Sequence, residues 1–331
     1  MDDRFRALDA WLRVALAGAP FRLERASTDA SFRRYFRVFL DSRTLIAMDA
    51  PPERENSRAF VRVAALLREA QLNAPEVFAH DLAQGFLLVT DLGTIPYIAA
   101  LNEYSATALF DHATTALVRW QCASRAGELP EYDEEKLRRE LELFPQWYVE
   151  RHLGVALSAR QRESLERIFG AILARNLAEP RVYVHRDFMP RNLMVTDPNP
   201  GILDFQDAVH GPISYDVACL FRDAFVSWDE ERVLDGTIRY WEKARRASLP
   251  VPQDFARFWT DVEWMGLQRH LKVLGIFARL HYRDGKVGYL EDTPRFLRYV
   301  RHTIARYDEL AALGQLLDQL EGARPEARFT S

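Results

Sequence analysis

Residues 182–195 have the sequence VYVHRDFMPRNLMV, and this stretch decides both the fold and the chemistry that the chain supports. A short apolar strand leads into His-Arg-Asp, an asparagine follows five residues after the aspartate, and a second apolar strand comes next. Residues 201–207, GILDFQD, form another apolar segment that ends in an acid. Pro190 stiffens the turn between the aspartate and the asparagine. The loop is therefore long enough to bring polar side chains from both of its ends into one site.

The residue types in this stretch suit phosphoryl transfer from ATP. One carboxylate must orient the attacking hydroxyl and accept its proton, and we predict that Asp187 has this role. Hard oxygen ligands must hold Mg²⁺ against the phosphates, and Asn192 and Asp204 offer an amide oxygen and a carboxylate. HRDxxxxN followed by a strand that ends in Asp-Phe is the spacing of a kinase catalytic loop and its metal-binding acid. The alternative interpretation, in which the two aspartates only cap turns, explains less of the pattern.

Composition and charge exclude several classes of protein. The chain has 331 residues, 48% of them hydrophobic and 28% charged, which indicates an ordinary globular protein of about two domains. The net charge of −4 provides no global basic field for a nucleic-acid backbone. Two cysteines are too few for a disulfide framework. The longest apolar runs span five residues, whereas a membrane helix needs about 20. We expect a cytoplasmic protein that binds neither nucleic acid nor a membrane.

Hydrophobic periodicity divides the chain into a strand-rich beginning and a helix-rich remainder. The early elements are predicted helices at 3–17 and 56–70 and predicted strands at 33–40, 44–50 and 86–90. The later helices are predicted at 103–125, 133–152, 158–178, 213–225, 229–247, 253–281 and 291–320. This is an α+β arrangement, and the change of pattern predicts a lobe boundary after residue 92.

The catalytic-loop motif resembles that of the aminoglycoside-phosphotransferase-like kinases, which share the protein-kinase fold and phosphorylate small molecules. Residues 215–218, YDVA, extend the resemblance. It implies a bilobal protein-kinase-like fold, with a small β-rich nucleotide-binding N-lobe at 1–92, a larger helical C-lobe at 93–331 and a cleft between them. It also implies that Asp216 and His185 support the catalytic loop. A helix N-terminal acid is the alternative interpretation of Asp216.

Further segments resemble the bacterial cell-wall-recycling sugar kinases over most of the chain. They are 27–37 (STDASFRRYFR), 47–52 (AMDAPP), 85–93 (GFLLVTDLG) and 267–279 (LQRHLKVLGIFAR). This resemblance implies ATP- and Mg²⁺-dependent phosphorylation of the anomeric C1 hydroxyl of N-acetylmuramate, N-acetylglucosamine or both, in peptidoglycan recycling. The alternatives are a kinase for another small acceptor (an aminoglycoside, choline or homoserine) and a nucleotide-binding pseudokinase without activity.

The predicted phosphate-binding turn lacks the usual glycines. Ser31 can donate its hydroxyl to a phosphate oxygen, Phe32 follows it, and Arg33 and Arg34 supply positive charge. Kinases carry a phosphate-binding lysine on the next strand, but Met48 stands at that position here. We expect an arginine of the preceding strand, or the metal ion together with backbone donors, to replace that lysine. The alternative is a solvated strand edge with basic residues.

The segment after the strand at 86–90 is the predicted hinge. In the fold that the resemblance implies, adenine forms hydrogen bonds with hinge backbone groups, and apolar side chains enclose its rings. Asp91 and Leu92 would occupy this position. The alternative is an ordinary turn at the end of a strand.

The predicted acceptor site lies in the helical part of the chain. A sugar site uses an aromatic face and hydrogen-bonding side chains, and the carboxylate of N-acetylmuramate favours Arg, Lys or His. Arg222, Trp264, Arg269 and His270 supply these groups. Each residue alone would suit packing or an exposed surface equally well, so the prediction depends on the group as a whole.

Overall fold

The structure, a computed structural model, describes residues 2–27 and 32–322. The chain packs into two compact units. The first runs through Ala123 and adds Pro190–Ala208, and the second consists of Ser124–Met189 and the residues from Val209 onward. Residues 93–123 thus pack with the first unit, while the lobe boundary after residue 92 stays a prediction. No helix in the described ranges is long and apolar enough to cross a membrane.

The elements of the described residues agree with an α+β fold. The strands are β1 (Arg22–Ser27), β2 (Arg34–Phe39), β3 (Thr44–Asp49), β4 (Val77–Asp81), β5 (Phe86–Thr90), β6 (Arg181–Val184), β7 (Leu193–Met194), β8 (Gly201–Ile202) and β9 (Val209–Pro212). The helices are α1 (Asp3–Ala15), α2 (Ser57–Glu69), α3 (Tyr97–Ala100), α4 (Ala106–Cys122), α5 (Glu134–Leu141), α6 (Ala159–Leu177), α7 (Tyr215–Phe221), α8 (Glu230–Arg246), α9 (Phe255–Tyr282), α10 (Thr293–Ile304) and α11 (Ala311–Gly322). A π-helical stretch at Phe144–His152 follows α5, and 3₁₀ turns lie at Tyr289–Asp292 and Asp308–Leu310.

A five-stranded antiparallel sheet with the order β1-β2-β3-β5-β4 forms the centre of the first unit. The strands predicted at 33–40, 44–50 and 86–90 are confirmed as β2, β3 and β5. The sequence analysis missed β1 and β4, because RLERAS and VFAHD carry charged residues within the strand and show little apolar alternation. Both strands owe their conformation to pairing with a neighbour more than to their own side chains.

Helix α1 covers one face of this sheet. Asp2 caps the helix by accepting a hydrogen bond from the backbone N–H of Phe5 at 2.7 Å. The core that the helix and the sheet share consists of Leu8, Leu12, Phe36, Val38, Leu45, Ala47, Phe86 and Leu88. Since side chains alternate along a strand, Met48 lies on the opposite face from Ala47, and it is fully buried. The position of the missing lysine is thus an apolar core position.

In the second unit, α9 runs through the interior and is buried along most of its length. It passes close to the end of α5: a Cβ added to Gly275 would lie 2.3 Å from the carbonyl carbon of Leu143, so only glycine fits there. The predicted helix at 133–152 changes to π-helical geometry at Phe144, since Pro145 has no N–H for an α-helical hydrogen bond. The helix predicted at 133–152 is therefore confirmed over almost its whole length, with a change from α-helical to π-helical geometry at Phe144.

The helix predicted at 291–320 is confirmed at both ends as α10 and α11 but was wrong in the middle, where the chain turns between them. At this turn Arg306 and Tyr307 reach the buried carboxylate of Glu263. The Arg306 Nη1 atom and the Tyr307 hydroxyl each lie 2.6 Å from a Glu263 oxygen. A tertiary contact to an acid 43 residues away thus overrides the local helical pattern.

A buried group of charges joins α5, α9 and the segment after β6 in the second unit. The Glu140 carboxylate on α5 lies 2.5 Å from the Arg186 Nη2 atom and 2.9 Å from the Lys272 ammonium. Tyr132 donates its hydroxyl and Gln268 donates its amide to the same carboxylate. Burial alone would raise the pKa of Glu140, but Lys272 and Arg186 lower it to about 2. Glu140 is therefore ionised and pairs with two buried cations.

Glu140→Gln should destabilise the protein, since it removes the carboxylate that two buried cations share. Breaking a buried ion pair on one side costs about 3 kcal/mol or more. Glu135→Gln on the same helix is the matched control, because Glu135 forms an exposed ion pair with Arg139, and its loss should change stability by less than about 1 kcal/mol. Urea unfolding measures both variants. Equal stability of the two variants would show that the Glu140 cluster contributes no net stabilisation.

Candidate active site

Two hydrogen bonds from the backbone fix the chain at His185 and Arg186. The Asp216 carboxylate, fully buried at the start of α7, accepts from the His185 N–H at 2.7 Å and from the Arg186 N–H at 3.0 Å. Burial raises the pKa of Asp216 to about 7, and these two hydrogen bonds oppose the increase. Arg186 has φ of +76°, a left-handed conformation that costs energy for any residue except glycine. Asp216 thus makes the contacts that its predicted supporting role requires.

Asp187 follows directly on this held backbone. Its N–H donates to the Nδ1 atom of His185 at 3.3 Å, and its carbonyl oxygen accepts from the Met189 N–H at 2.9 Å. His185 is buried and makes an edge-on ring contact with Phe188, with ring centroids 5.6 Å apart. Asp187 is half-buried.

Asn192 and Asp204 lie at the two ends of a short hairpin in the first unit. Strands β7 and β8 pair antiparallel, and the Leu203 N–H donates to the Asn192 carbonyl at 2.9 Å. The Asn192 side-chain amide then donates to a carboxylate oxygen of Asp204 at 3.3 Å. Asp204 has φ of +60°, and the ring of Phe205 packs 4.8 Å from that of Phe60. The hairpin therefore brings the two predicted metal ligands together.

The groups around Asp204 fit a magnesium ion. Asn192 and Asp204 offer an amide oxygen and a carboxylate, both of the hard type that Mg²⁺ prefers. Gln206 donates to the Oδ1 atom of Asp204 at 2.9 Å and orients the carboxylate. The Arg33 Nη1 atom lies 4.0 Å from the same oxygen. A carboxylate, an amide oxygen and an adjacent cation form a suitable site for a metal-bound phosphate.

The predicted phosphate-binding residues have different surroundings. Ser31 lies outside the described residues. Phe32 is 56% exposed, and its N–H donates to Glu55 at 3.2 Å. Arg33 is nearly buried and forms an ion pair with Glu55 at 2.7 Å in addition to its approach to Asp204. The guanidinium of Arg34 instead binds the buried Asp49, with a Nε to Oδ2 distance of 2.9 Å.

An arginine from β2 orders the predicted hinge. The Arg37 Nε atom donates to Asp91 at 2.6 Å, and its Nη2 atom donates to the Gly93 carbonyl at 3.0 Å. Burial alone would raise the pKa of Asp91, but hydrogen bonds from Arg37 and Thr44 lower it. Leu92 is buried beside it. Asp91 therefore anchors the segment in its ionised form.

The four predicted acceptor residues are all buried, but they have different neighbours. Arg222 lines a cavity of about 160 Å³ at the end of α7. The Arg269 Nη1 atom donates to the Arg222 carbonyl at 3.5 Å. His270 packs against Tyr299 with ring centroids 4.9 Å apart, and burial lowers the pKa of His270 well below its ordinary value, so the ring is neutral. Trp264 packs against other side chains, with the guanidinium of Arg175 lying 5.3 Å from its ring.

The sequence analysis missed Asp223, a buried acid beside Arg222. Its Oδ1 atom accepts from the Ala224 N–H at 2.6 Å. Burial raises the pKa of Asp223, while Arg269 and backbone N–H groups oppose the increase. An Arg-Asp pair directly after the apolar run VACLF at 217–221 was the available signal. An Arg-Asp pair at the end of a buried helix indicates that two charged side chains lie in the protein interior.

The sequence of the chain matches known proteins along most of its length. The model of a phosphotransferase enzyme family (APH) matches residues 22–258. The chain is 51% identical to the N-acetylmuramate/N-acetylglucosamine kinase of Pseudomonas aeruginosa, over 96% of this chain and 97% of that protein. It is 49% identical to the protein of the same name from Pseudomonas putida, over 98% of this chain and 94% of that protein.

The fold also has close counterparts among solved structures. The ADP-bound aminoglycoside phosphotransferase APH(2'')-Ib superposes with a TM-score of 0.57 at 15% identity, covering 92% of this chain and 99% of that one. The protein-kinase-like fold that the motifs predicted is thereby confirmed. The family match and the two sequence relatives lead to one conclusion: the chain belongs to the phosphotransferase enzyme family.

Proposed function

We propose that the protein is an ATP-dependent sugar kinase that phosphorylates the anomeric C1 hydroxyl of N-acetylmuramate, N-acetylglucosamine or both. Its place would be peptidoglycan recycling in the cytoplasm. The observation that carries the proposal is the identity of about half of all residues to kinases of that name over nearly the whole chain. The catalytic aspartate, the asparagine and the second acid are all present at Asp187, Asn192 and Asp204, which favours an active enzyme over a pseudokinase.

In this proposal Asp187 acts as the base. Its carboxylate orients the C1 hydroxyl and accepts the proton as the sugar oxygen attacks the γ-phosphorus of ATP. The bond from the γ-phosphorus to the β–γ bridging oxygen breaks, and ADP leaves with the electron pair. An anomeric hydroxyl is more acidic than an ordinary alcohol, so a half-buried carboxylate is a sufficient base. His185 and Asp216 are positioning residues, because they hold the backbone on which Asp187 stands.

Asn192 and Asp204 would hold Mg²⁺, which offsets the negative charge of the phosphates when it is bound. Arg33 supplies further positive charge close to Asp204 and takes the part of the lysine that Met48 replaces. Asp187 is only five residues from Asn192 along the chain, and this short connection supports their action on one substrate.

The remaining predicted residues complete the proposed binding sites. The backbone at Asp91 and Leu92 would bind adenine, and Ser31, Phe32 and Arg34 would belong to the phosphate-binding turn and its strand. Arg222 and Arg269 would bind the acceptor. His270 would support the acceptor site through its ring contact with Tyr299. Trp264 remains a predicted acceptor-binding residue.

Purified protein with Mg²⁺ and ATP should release ADP when N-acetylmuramate or N-acetylglucosamine is added. Aminoglycosides, choline and homoserine should give no release above background. Phosphorus and carbon NMR of the product should place the new phosphate on C1. If no acceptor in this panel stimulates ADP release, or if the phosphate is on another oxygen, the proposal is wrong.

Asp187→Asn should lower kcat by about a thousandfold and leave ATP affinity nearly unchanged, since it removes the base but keeps the shape of the side chain. Steady-state kinetics and equilibrium nucleotide binding measure the two effects separately. Asp207→Asn is the control, because Asp207 is an exposed acid close to Asp204 in the chain. A strong loss of ATP binding with little change in kcat would assign Asp187 to the nucleotide.

Arg33→Gln should raise the KM for ATP about tenfold, which corresponds to the loss of one cation–phosphate contact of about 1.4 kcal/mol. Arg25→Gln on β1 removes the same charge from an exposed position of the sheet and should leave KM unchanged. An unchanged KM in the Arg33 variant would show that the metal ion and backbone donors replace the missing lysine without it.

A further inference from the structure

A cavity of about 160 Å³ lies beside the end of α7, within the second unit. Its walls include Arg222, Trp228, Glu230, Arg298, Tyr299 and His302. We propose that this cavity binds the carboxylate-bearing arm of an acidic amino sugar and so distinguishes acceptors with a carboxylate from neutral ones. The inference rests on the proposed function and extends it to a subsite for one substituent of the acceptor.

The first argument concerns the burial and the hydrogen bonds of the Arg222 side chain. This guanidinium is only 5% exposed, and its Nε and Nη2 atoms have no hydrogen-bond partner among the described residues. The nearest carboxylate oxygens, on Glu263 and Glu230, lie 3.5 and 3.7 Å from Nη2. Burial lowers the pKa of Arg222, because these acids only partly offset its desolvation. Buried donors without acceptors are costly, and an anionic ligand would satisfy them.

The second argument is the balance of charge around the cavity. Arg306 binds both neighbouring acids, with distances of 2.6 Å to Glu230 and 2.6 Å to Glu263. The Arg222 guanidinium is a second positive charge close to the same two carboxylates. Arg298, at the exposed side, has no carboxylate partner in the part of the chain that the structure describes. The site therefore has an excess of positive charge, which favours an anion.

A metal ion is the less favourable occupant. Glu230, Glu263 and His302 have ligand atoms within 4.8 Å of one another, as a metal site requires. However, Arg306 already occupies both carboxylates, and Arg222 lies beside them. A divalent cation would have to displace or repel two guanidinium groups, whereas a carboxylate would be attracted to them.

The third argument connects the cavity with the catalytic base. Arg269 donates to the carbonyl of Arg222, a residue that lines the cavity. Arg269 also interacts electrostatically with Asp187 and with Asp223. On the other side, Tyr299 forms a 2.7 Å hydrogen bond with Ser227, which fixes the wall. Arg269 thus connects the surroundings of Asp187 with the backbone of a residue that lines the cavity.

N-Acetylmuramate carries a lactyl carboxylate on the ring that N-acetylglucosamine lacks, so the two sugars form a matched pair of probes. Arg298→Gln should lower kcat/KM for N-acetylmuramate about tenfold and change the value for N-acetylglucosamine less than twofold. Arg222→Lys keeps one charge but removes the forked donors, and it should weaken the binding of N-acetylmuramate more than the binding of N-acetylglucosamine. Calorimetric binding of both sugars to each protein gives a readout that does not need turnover.

Arg301→Gln is the matched control for Arg298→Gln. It removes an arginine from the same helix, but Arg301 pairs with Asp318 and Glu321 and does not line the cavity. It should leave the kinetics and the binding of both sugars unchanged. Thermal melting of all variants confirms that they are folded.

The outcomes separate this inference from the proposed function. If the unaltered protein phosphorylates neither sugar, the proposed function is wrong, and the binding data alone then decide whether the cavity selects the carboxylate. If both sugars are phosphorylated but Arg298→Gln affects them equally or not at all, the inference is wrong and the proposed function stands. Turnover or binding of only the neutral sugar would also overturn the inference.

Discussion

Two buried carboxylates hold the backbone at His185 and Arg186, and the rest of the catalytic loop depends on this arrangement. Asp216 accepts the two backbone N–H groups, and Glu140 binds the Arg186 guanidinium. The left-handed conformation at Arg186 costs about 1–2 kcal/mol, and it persists because contacts on both the backbone and the side chain require it. The residue after this constrained position is Asp187, so strain and charge together determine where the carboxylate of the proposed base stands.

The two proposed metal ligands are also held by the local backbone, but through a hairpin and an aromatic contact. Asp204 also has a positive φ, and it stands where a short hairpin ends. Pairing of β7 with β8 sets the position of the Asn192 backbone, and the packing of Phe205 against Phe60 anchors the chain beyond the acid. In each unit, the acid with a proposed function follows a hydrogen-bonded segment of backbone. A buried neighbouring residue holds that segment in place. Such placement limits side-chain motion before any substrate binds.

The sequence alone predicted the features that depend on the spacing of residues close together in the chain. HRDxxxxN and the following Asp-Phe predicted the loop and selected Asn192 and Asp204 as a pair, and the resemblance of these motifs to a kinase family implied the protein-kinase-like fold. The sequence did not predict the contacts between side chains that lie far apart along the chain. Arg34 binds Asp49, and Gln268 reaches Glu140 across 128 residues. Periodicity also cannot show that Arg306 and Tyr307 turn towards Glu263, because that contact exists only after α9 has packed.

Under the proposed function, the charge around the cavity beside α7 suits an acceptor that carries a negative charge. An aminoglycoside is a polycation, and a pocket for it should be lined by acids, whereas the cavity beside α7 is lined by Arg222 and Arg298. The fold is nevertheless shared with an aminoglycoside phosphotransferase at only 15% identity. Under the proposed function, residues at the end of α7 and on α10 would set the charge of the acceptor region, while the loop at 187–192 would keep the chemistry of phosphoryl transfer. A net charge of −4 for the whole chain therefore says little about ligand charge, because a few buried arginines determine the local potential.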